Sequence, residues 1–157
     1  MASLISAIQS LLPQHEGLLP KWLLFVAITA FGNTIQSYTT LSFTSRVYGG
    51  PTSFPTVPNP TPTTPPSLNR QVTPLSSRTF GTWSLIQAFV RLYAAYNIDN
   101  PAFYQLAYLT YLVAFGHFMS EWFYFGTCRW GKPLAGPVVV STGTLVWMLW
   151  VWGDYVQ

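Results

Sequence analysis

The stretch Thr79–Phe125, TFGTWSLIQAFVRLYAAYNIDNPAFYQLAYLTYLVAFGHFMSEWFYF, decides the fold class. It holds two apolar runs, each near the roughly 20 residues that a bilayer-spanning helix requires. Only Asp99-Asn100-Pro101 divides them. Asn-Pro favours a turn, and proline ends the helical geometry before it. The stretch therefore reads as an antiparallel hairpin of two helices, Thr79–Ile98 and Phe103–Phe125. Working outward, two further runs of the same length are found at Trp22–Phe43 and Leu134–Trp152. The expectation is an all-α integral membrane protein, a four-transmembrane-helix bundle over residues 19–152.

Composition supports that class. The chain has 157 residues, 50% hydrophobic and 17% aromatic, and only 7% are charged, against about 25% in a soluble domain. So few charges leave a water-facing surface with large apolar patches. Aromatic residues gather at the ends of the proposed spans (Trp22, Trp83, Tyr96, Phe103, Trp122, Trp130, Trp150 and Trp152), where amphipathic rings sit at headgroup level. A net charge of +3 with its basic residues spread singly gives no nucleic-acid patch. One cysteine, Cys128, excludes an internal disulfide framework and a cysteine-based zinc cluster.

Residues 1–18 form an N-terminal segment in which Leu4, Ile5, Ile8, Leu11 and Leu12 make a helical stripe stopped by Pro13. It reads equally as an interfacial helix or a frayed end. With no basic residue before its apolar run it is a poor secretory signal and is read as mature sequence. Residues 47–77 form a proline-rich first loop whose core, Pro51–Pro66, is a linker or a docking ligand rather than a packed unit. Residues 153–157 form a C-terminal tail. Arg46, Arg70, Arg78, Arg129 and Lys132 fall in the first and third loops, with Lys21 opposite, so the positive-inside rule puts both loops in the cytoplasm.

Ionisable groups inside a span are the default functional candidates, since each costs roughly 2.5–3.5 kcal/mol at mid-bilayer. Here they are Arg91, His117 and Glu121. At 1.5 Å per residue Arg91 lies about 9 Å from the hairpin turn and Glu121 about 28 Å, so depth separates them. Arg78 matches the depth of Glu121, which predicts an Arg78–Glu121 pair, while Arg91 is expected to reach toward Asp99 and Asp154. His117 and Glu121 share a face at i, i+4. Thr29, Asn33, Gln36 and Thr40 make a polar stripe on the first span, expected to face the bundle, with Leu24, Phe25, Ile28 and Ile35 toward lipid. A cluster of Asn33, Gln36, His117, Ser120 and Glu121, closed by Arg78, follows, with Gly116 and Ser120 allowing another helix to approach. Such a cluster holds helices together more readily than it catalyses. The chain has two histidines, and no dinucleotide, phosphate-loop or nucleophile-elbow motif. No cofactor or metal is expected.

Leu19-Pro20-Lys21-Trp22-Leu23-Leu24-Phe25, Gly32-Asn33-Thr34-Ile35-Gln36-Ser37-Tyr38, Arg78-Thr79-Phe80-Gly81-Thr82-Trp83, Val90-Arg91 and Gly116-His117-Phe118 with Ser120-Glu121 together resemble the ergosterol biosynthetic protein 28 family. The resemblance runs from about Leu19 to Trp152. It implies a multi-pass protein of the endoplasmic reticulum membrane that is not an enzyme but a scaffold of sterol biosynthesis. The implied partners are the sterol C-4 methyl oxidase, the C-3 sterol dehydrogenase/decarboxylase and the 3-keto sterol reductase, with other sterol-pathway enzymes conceivable and no nucleic acid. The proline-rich loop is longer than the family pattern, and the C-terminus lacks a dilysine signal. Asn33, Gln36, Arg78, Arg91, His117 and Glu121 are the expected structural or partner-contact residues. The alternative is a small membrane enzyme or carrier acting on a sterol, with Glu121 and His117 moving a proton or binding.

Overall fold

The computed structural model describes residue 6, residues 9–49 and residues 72–156. Four long helices dominate: α1 (Leu19–Thr39), α3 (Pro74–Tyr96), α4 (Pro101–Phe123) and α5 (Lys132–Trp150), with the short α2 (Ser42–Val47) and α6 (Trp152–Tyr155) between or after them. Among the described residues there is no strand. The proline-rich core 51–66 and most of the N-terminal stripe lie outside the described residues.

Local chemistry sets the helix starts. α3 begins earlier than apolar content indicates because Thr73 and Ser76 form a reciprocal capping box, with Pro74 in the first turn. Asn100 caps α4 by accepting from the Ala102 N–H at 2.9 Å, and Pro101 opens the helix. α1 stops at Thr39 instead of running to Phe43; Thr40 is extended, and α2 restarts the chain in a new direction.

The helices run alternately up and down. Phe31 meets Phe89 and Ser77 meets Ser37 across α1 and α3; Arg91 meets Thr110 across α3 and α4; Tyr104 meets Met148 across α4 and α5. Trp22 brings α1 and α5 together, donating its indole N–H to Thr144 Oγ1 at 2.8 Å. The most extensive contact is α1 with α3. Its seam is built from small residues at helical spacing, Ala27, Ala30, Thr34 and Ser37 on α1 against Ser77, Gly81, Ser84 and Ala88 on α3, all buried. Such residues let two backbones approach. Thr34 donates to the Gly81 carbonyl at 3.2 Å and Ser77 to the Ser37 carbonyl at 2.9 Å. A Cβ on Gly81 would lie 2.9 Å from the Tyr38 ring and 3.0 Å from Ser37 Cβ, so only glycine fits there without displacement.

This seam corrects the expected packing of α1. Thr29 and Thr40 are exposed and Asn33 and Gln36 only half-buried. The polar stripe flanks the seam because the small residues beside it pack closer. Phe25, Ile28 and Ile35 point outward, 60–67% exposed, but Leu24 is buried. Gly116 is exposed with nothing near its missing Cβ, so no helix of this chain uses it.

The core divides along the bundle axis. At the turn end, Leu19, Leu23, Ala95, Ile98, Tyr104 and Met148 are essentially inaccessible. Tyr104 donates to the Met148 carbonyl at 2.6 Å; of α6, Tyr155 stacks on its ring and Trp152 meets it edge-on. Residues 11–16 fold onto this end: Tyr155 donates to the Glu16 carbonyl at 3.2 Å, Tyr96 to the Leu11 carbonyl at 2.7 Å, and His15 lies 3.7 Å from Asp99. Gly17 makes that turn at φ +92°, and its missing Cβ leaves room for the Tyr155 hydroxyl. At the loop end a smaller cluster of Val47, Phe118, Cys128, Leu134 and Val138 packs under α2.

Among the described residues one helix, α5, is long and apolar enough to cross a membrane by length and composition. Serines and two arginines lower the apolar content of α3; Tyr, His and Glu do so in α4, and the polar second half of α1 does so there. Yet the outward faces of all four long helices are apolar. Phe25, Ile28, Ile86, Phe89, Leu109, Val139 and Val146 are each close to half exposed or more.

Candidate functional site

Two polar centres occupy the bundle. The first lies at the loop end, where α4 carries His117 and Glu121 on one face. Tyr48, presented by α2 after the break at Thr40, places its hydroxyl 2.7 Å from His117 Nε2. Burial pushes the Tyr48 phenol well above its ordinary range, and Cys128 and Glu121 add to the effect, so the hydroxyl keeps its proton. A Tyr48 hydroxyl that donates to Nε2 assigns the ring proton to Nδ1, which faces Glu121 Oε1 at 4.0 Å. Glu121 Oε2 accepts from the Thr127 hydroxyl. The loop after α4 folds back so that the Thr127 and Cys128 N–H groups cap the Glu121 carbonyl at 3.0 and 3.2 Å. Rings of Trp83, Phe118 and Tyr48 surround the imidazole at centroid separations of 5.2–5.9 Å. The Tyr48–His117 and Glu121–Thr127 pairs border a cavity of about 470 Å³, walled also by Thr44, Ser76, Thr79 and Phe80.

Cys128 lies in the same cluster, 3% exposed. Burial pushes its thiol up to about 11, so it is protonated and unreactive near neutrality.

The second centre lies deeper. Arg91 on α3 is 6% exposed, donates from Nη2 to Gln87 Oε1 at 2.6 Å and from Nε to Thr110 Oγ1 at 3.1 Å, and stacks over the Tyr111 ring at 4.0 Å. It does not extend to Asp99 or Asp154. None of the four acidic side chains comes within ion-pair distance of it, because Asp99 is at the turn beside His15 and the neutral acceptor Gln87, one helical turn away, is nearer. A cavity of about 350 Å³ adjoins Arg91, with Gln87, Tyr111, Ser84, Ser141 and Asn33 on its walls.

The structure thus divides the residues expected to cluster. His117 and Glu121 form one centre, Arg91 and Asn33 border the other, and Gln36 and Arg78 join neither. Arg78 is exposed and makes no ion pair with Glu121. Depth was matched but rotation was not: Ser77 occupies the seam, and the next residue points about 100° away. Ser120 bonds back to the His117 carbonyl of its own helix at 2.8 Å. Tyr48, Thr127, Gln87 and Thr110 complete the two centres without having been expected. Gln87 and Arg91 at i, i+4 were a readable signal; Tyr48 and Thr127 reach the site through chain reversals that no periodicity encodes. Among the described residues no three His, Cys, Asp or Glu side chains come together as a metal site.

Charge is also divided. Arg46, Arg78, Arg129 and Lys132 are exposed at the loop end, whereas Glu16, Asp99 and Asp154 flank Lys21 at the turn end.

The family model described as "Erg28 like protein" matches residues 19–146, a stretch that contains all four long helices except the last residues of α5. The chain is 45% identical over 141 residues to the ergosterol biosynthetic protein 28 of Candida albicans, covering 89% of this chain and 90% of that protein. It is 40% identical over 168 aligned positions to that of Gibberella zeae, covering 98% and 99%. To that of Saccharomyces cerevisiae it is 42% identical over 134 residues, covering 85% and 79%. No solved structure matches the chain significantly. With both polar centres inside the matched region, and three relatives similar over most of their length, this chain belongs to the Erg28-like family.

Proposed function

We propose that this protein serves ergosterol biosynthesis as a non-enzymatic, four-span scaffold of the endoplasmic reticulum membrane, tethering the sterol C-4 methyl oxidase, the C-3 sterol dehydrogenase/decarboxylase and the 3-keto sterol reductase. The names of its relatives support the pathway. The observation that carries the membrane reading is the apolar exterior on all four long helices, each turning side chains such as Phe25, Phe89, Leu109 and Val146 outward. A soluble bundle has charged outer faces instead. Four exposed basic residues at one end orient that end to the cytoplasm. The His117 and Glu121 side chains are engaged by Tyr48 and Thr127, as bundle-holding groups are. Tethering raises the local concentration of sequential enzymes to the order of millimolar without any new catalytic group.

A second reading rests on the cavity beside His117 and Glu121, which is large enough for a small molecule. In it the pair moves a proton on a sterol. Assay of the purified chain with sterol intermediates separates the two readings. The scaffold reading expects no turnover; turnover by the chain alone, lost in Glu121→Gln, overturns it.

A further inference from the structure

The buried Arg91 guanidinium has no carboxylate within ion-pair distance among the described residues, which include all four acidic side chains. Nε and one Nη2 proton are used by Thr110 and Gln87. The end-on pair, Nη1 with the second Nη2 proton, has no acceptor among the described residues. Beside it Gln87, also 6% exposed, has its Nε2 buried without a hydrogen-bond partner among the described residues. A buried donor left unmet is costly, and a buried cation more so. Both groups border the same cavity of about 350 Å³, within the size range of small-molecule sites.

The shape of that cavity constrains what fills it. It runs from Arg91 and Ser141 to Lys132 at the loop end, which is about 13 Å along α5. Between the two cations its walls are mainly apolar, with Phe80, Trp83, Ala114, Phe118, Pro137 and Val140 interrupted by Asn33 and Ser84. Its mouth lies between α1 and α5, where Thr29, Lys132 and Gly136 are exposed. The two helices meet through Trp22 at the turn end, so the cleft opens sideways toward the other end.

We propose that this cleft binds one carboxylate-headed amphiphile, its head on the end-on face of Arg91, its apolar body along Phe80, Trp83 and Phe118. A guanidinium edge matches a carboxylate bidentately, and a single cation at the deep end suits a monoanion. A phosphate dianion would find a single cation at the deep end, with Lys132 far away at the mouth. Neither His117 nor Glu121 takes part, and the site does not depend on the scaffold reading, because it needs no partner protein.

The test uses the purified full-length protein in an uncharged maltoside detergent, with cholesteryl hemisuccinate as the carboxylate amphiphile, followed by native mass spectrometry or equilibrium binding. Saturable one-to-one binding is expected, with cholesterol and free succinate each weaker by about tenfold or more. Arg91→Gln is expected to weaken binding by about tenfold or more. Because that variant removes a buried group and can fail to fold, Gly136→Phe provides an independent plug. Gly136 is at the mouth with nothing within 4 Å of its missing Cβ, so a bulky ring has room there without displacing the bundle. It is expected to block binding while elution from a sizing column stays unchanged, and Lys132→Ala is expected to retain it. Equal binding of cholesterol and cholesteryl hemisuccinate, tighter binding of phosphatidic acid, undiminished binding of free succinate, or full binding by folded Gly136→Phe would each overturn the proposal.

Discussion

The two ends of this bundle solve different problems with the same four helices. At the turn end, Leu19, Leu23, Ile98, Tyr104 and Met148 are inaccessible, and α6 and residues 11–16 close over them. Tyrosine hydroxyls there bond to backbone carbonyls, as Tyr104 does to Met148, and the Trp22 indole bonds to the Thr144 side chain. At the loop end the core is smaller, both cavities open, and polar side chains meet other polar side chains. One end is packed to hold four helices in register; the other keeps space and polar groups available. The small-residue seam of α1 and α3 joins the two regions, so the open end does not fall apart despite its cavities.

The comparison breaks most readily at Tyr104. Tyr104→Ala removes a fully buried ring and its hydrogen bond, and a loss of about 3–5 kcal/mol is expected. In lipid or detergent that cost comes from lost packing rather than from hydration. Unfolding in mixed micelles measures it, and a loss under about 1 kcal/mol would mean that the turn end is not the stabilising half. Gly81→Val at the seam comes next, at about 1–3 kcal/mol, because Ser37 Cβ is attached directly to backbone and cannot swing aside. At the open end, Tyr48→Phe should cost only about 1 kcal/mol, the worth of one hydrogen bond. The smallest effect is chemical. With its thiol pushed up to about 11, Cys128 should be alkylated slowly at pH 7.5, with the rate rising about tenfold per pH unit until that value is approached. A rate that levels off near pH 8 would show that the loop-end cluster opens to solvent.

Particular residues show how much was legible beforehand. Asp99-Asn100-Pro101 marked the hairpin because proline and asparagine act locally, and the turn formed where expected. Long apolar runs marked four helices for the same reason, although among the described residues length and composition single out α5 as able to cross a membrane. The error at Arg78 has a general cause: counting residues from a turn gives height along a helix, but the direction around it depends on which face packs. That face was present in the sequence as Ser77, Gly81, Ser84 and Ala88 opposite Ala27, Ala30, Thr34 and Ser37, small residues rather than polar ones. Arg91 was read as an ionisable group inside a span, reaching toward Asp99 and Asp154. That it would remain without a carboxylate was not readable, because Asp99 is near in sequence yet directed to His15. Tyr48 and Thr127 depend on chain reversals at Thr40 and beyond Phe123, and these follow from tertiary packing.

The scaffold account is tested most directly by affinity purification of the tagged full-length chain from microsomes in a mild detergent, with co-purifying proteins identified by mass spectrometry. The account predicts recovery of the C-4 methyl oxidase, the C-3 dehydrogenase/decarboxylase and the 3-keto reductase together, and their retention by Glu121→Gln so long as that variant folds. Recovery of folded protein with none of the three enzymes would contradict it.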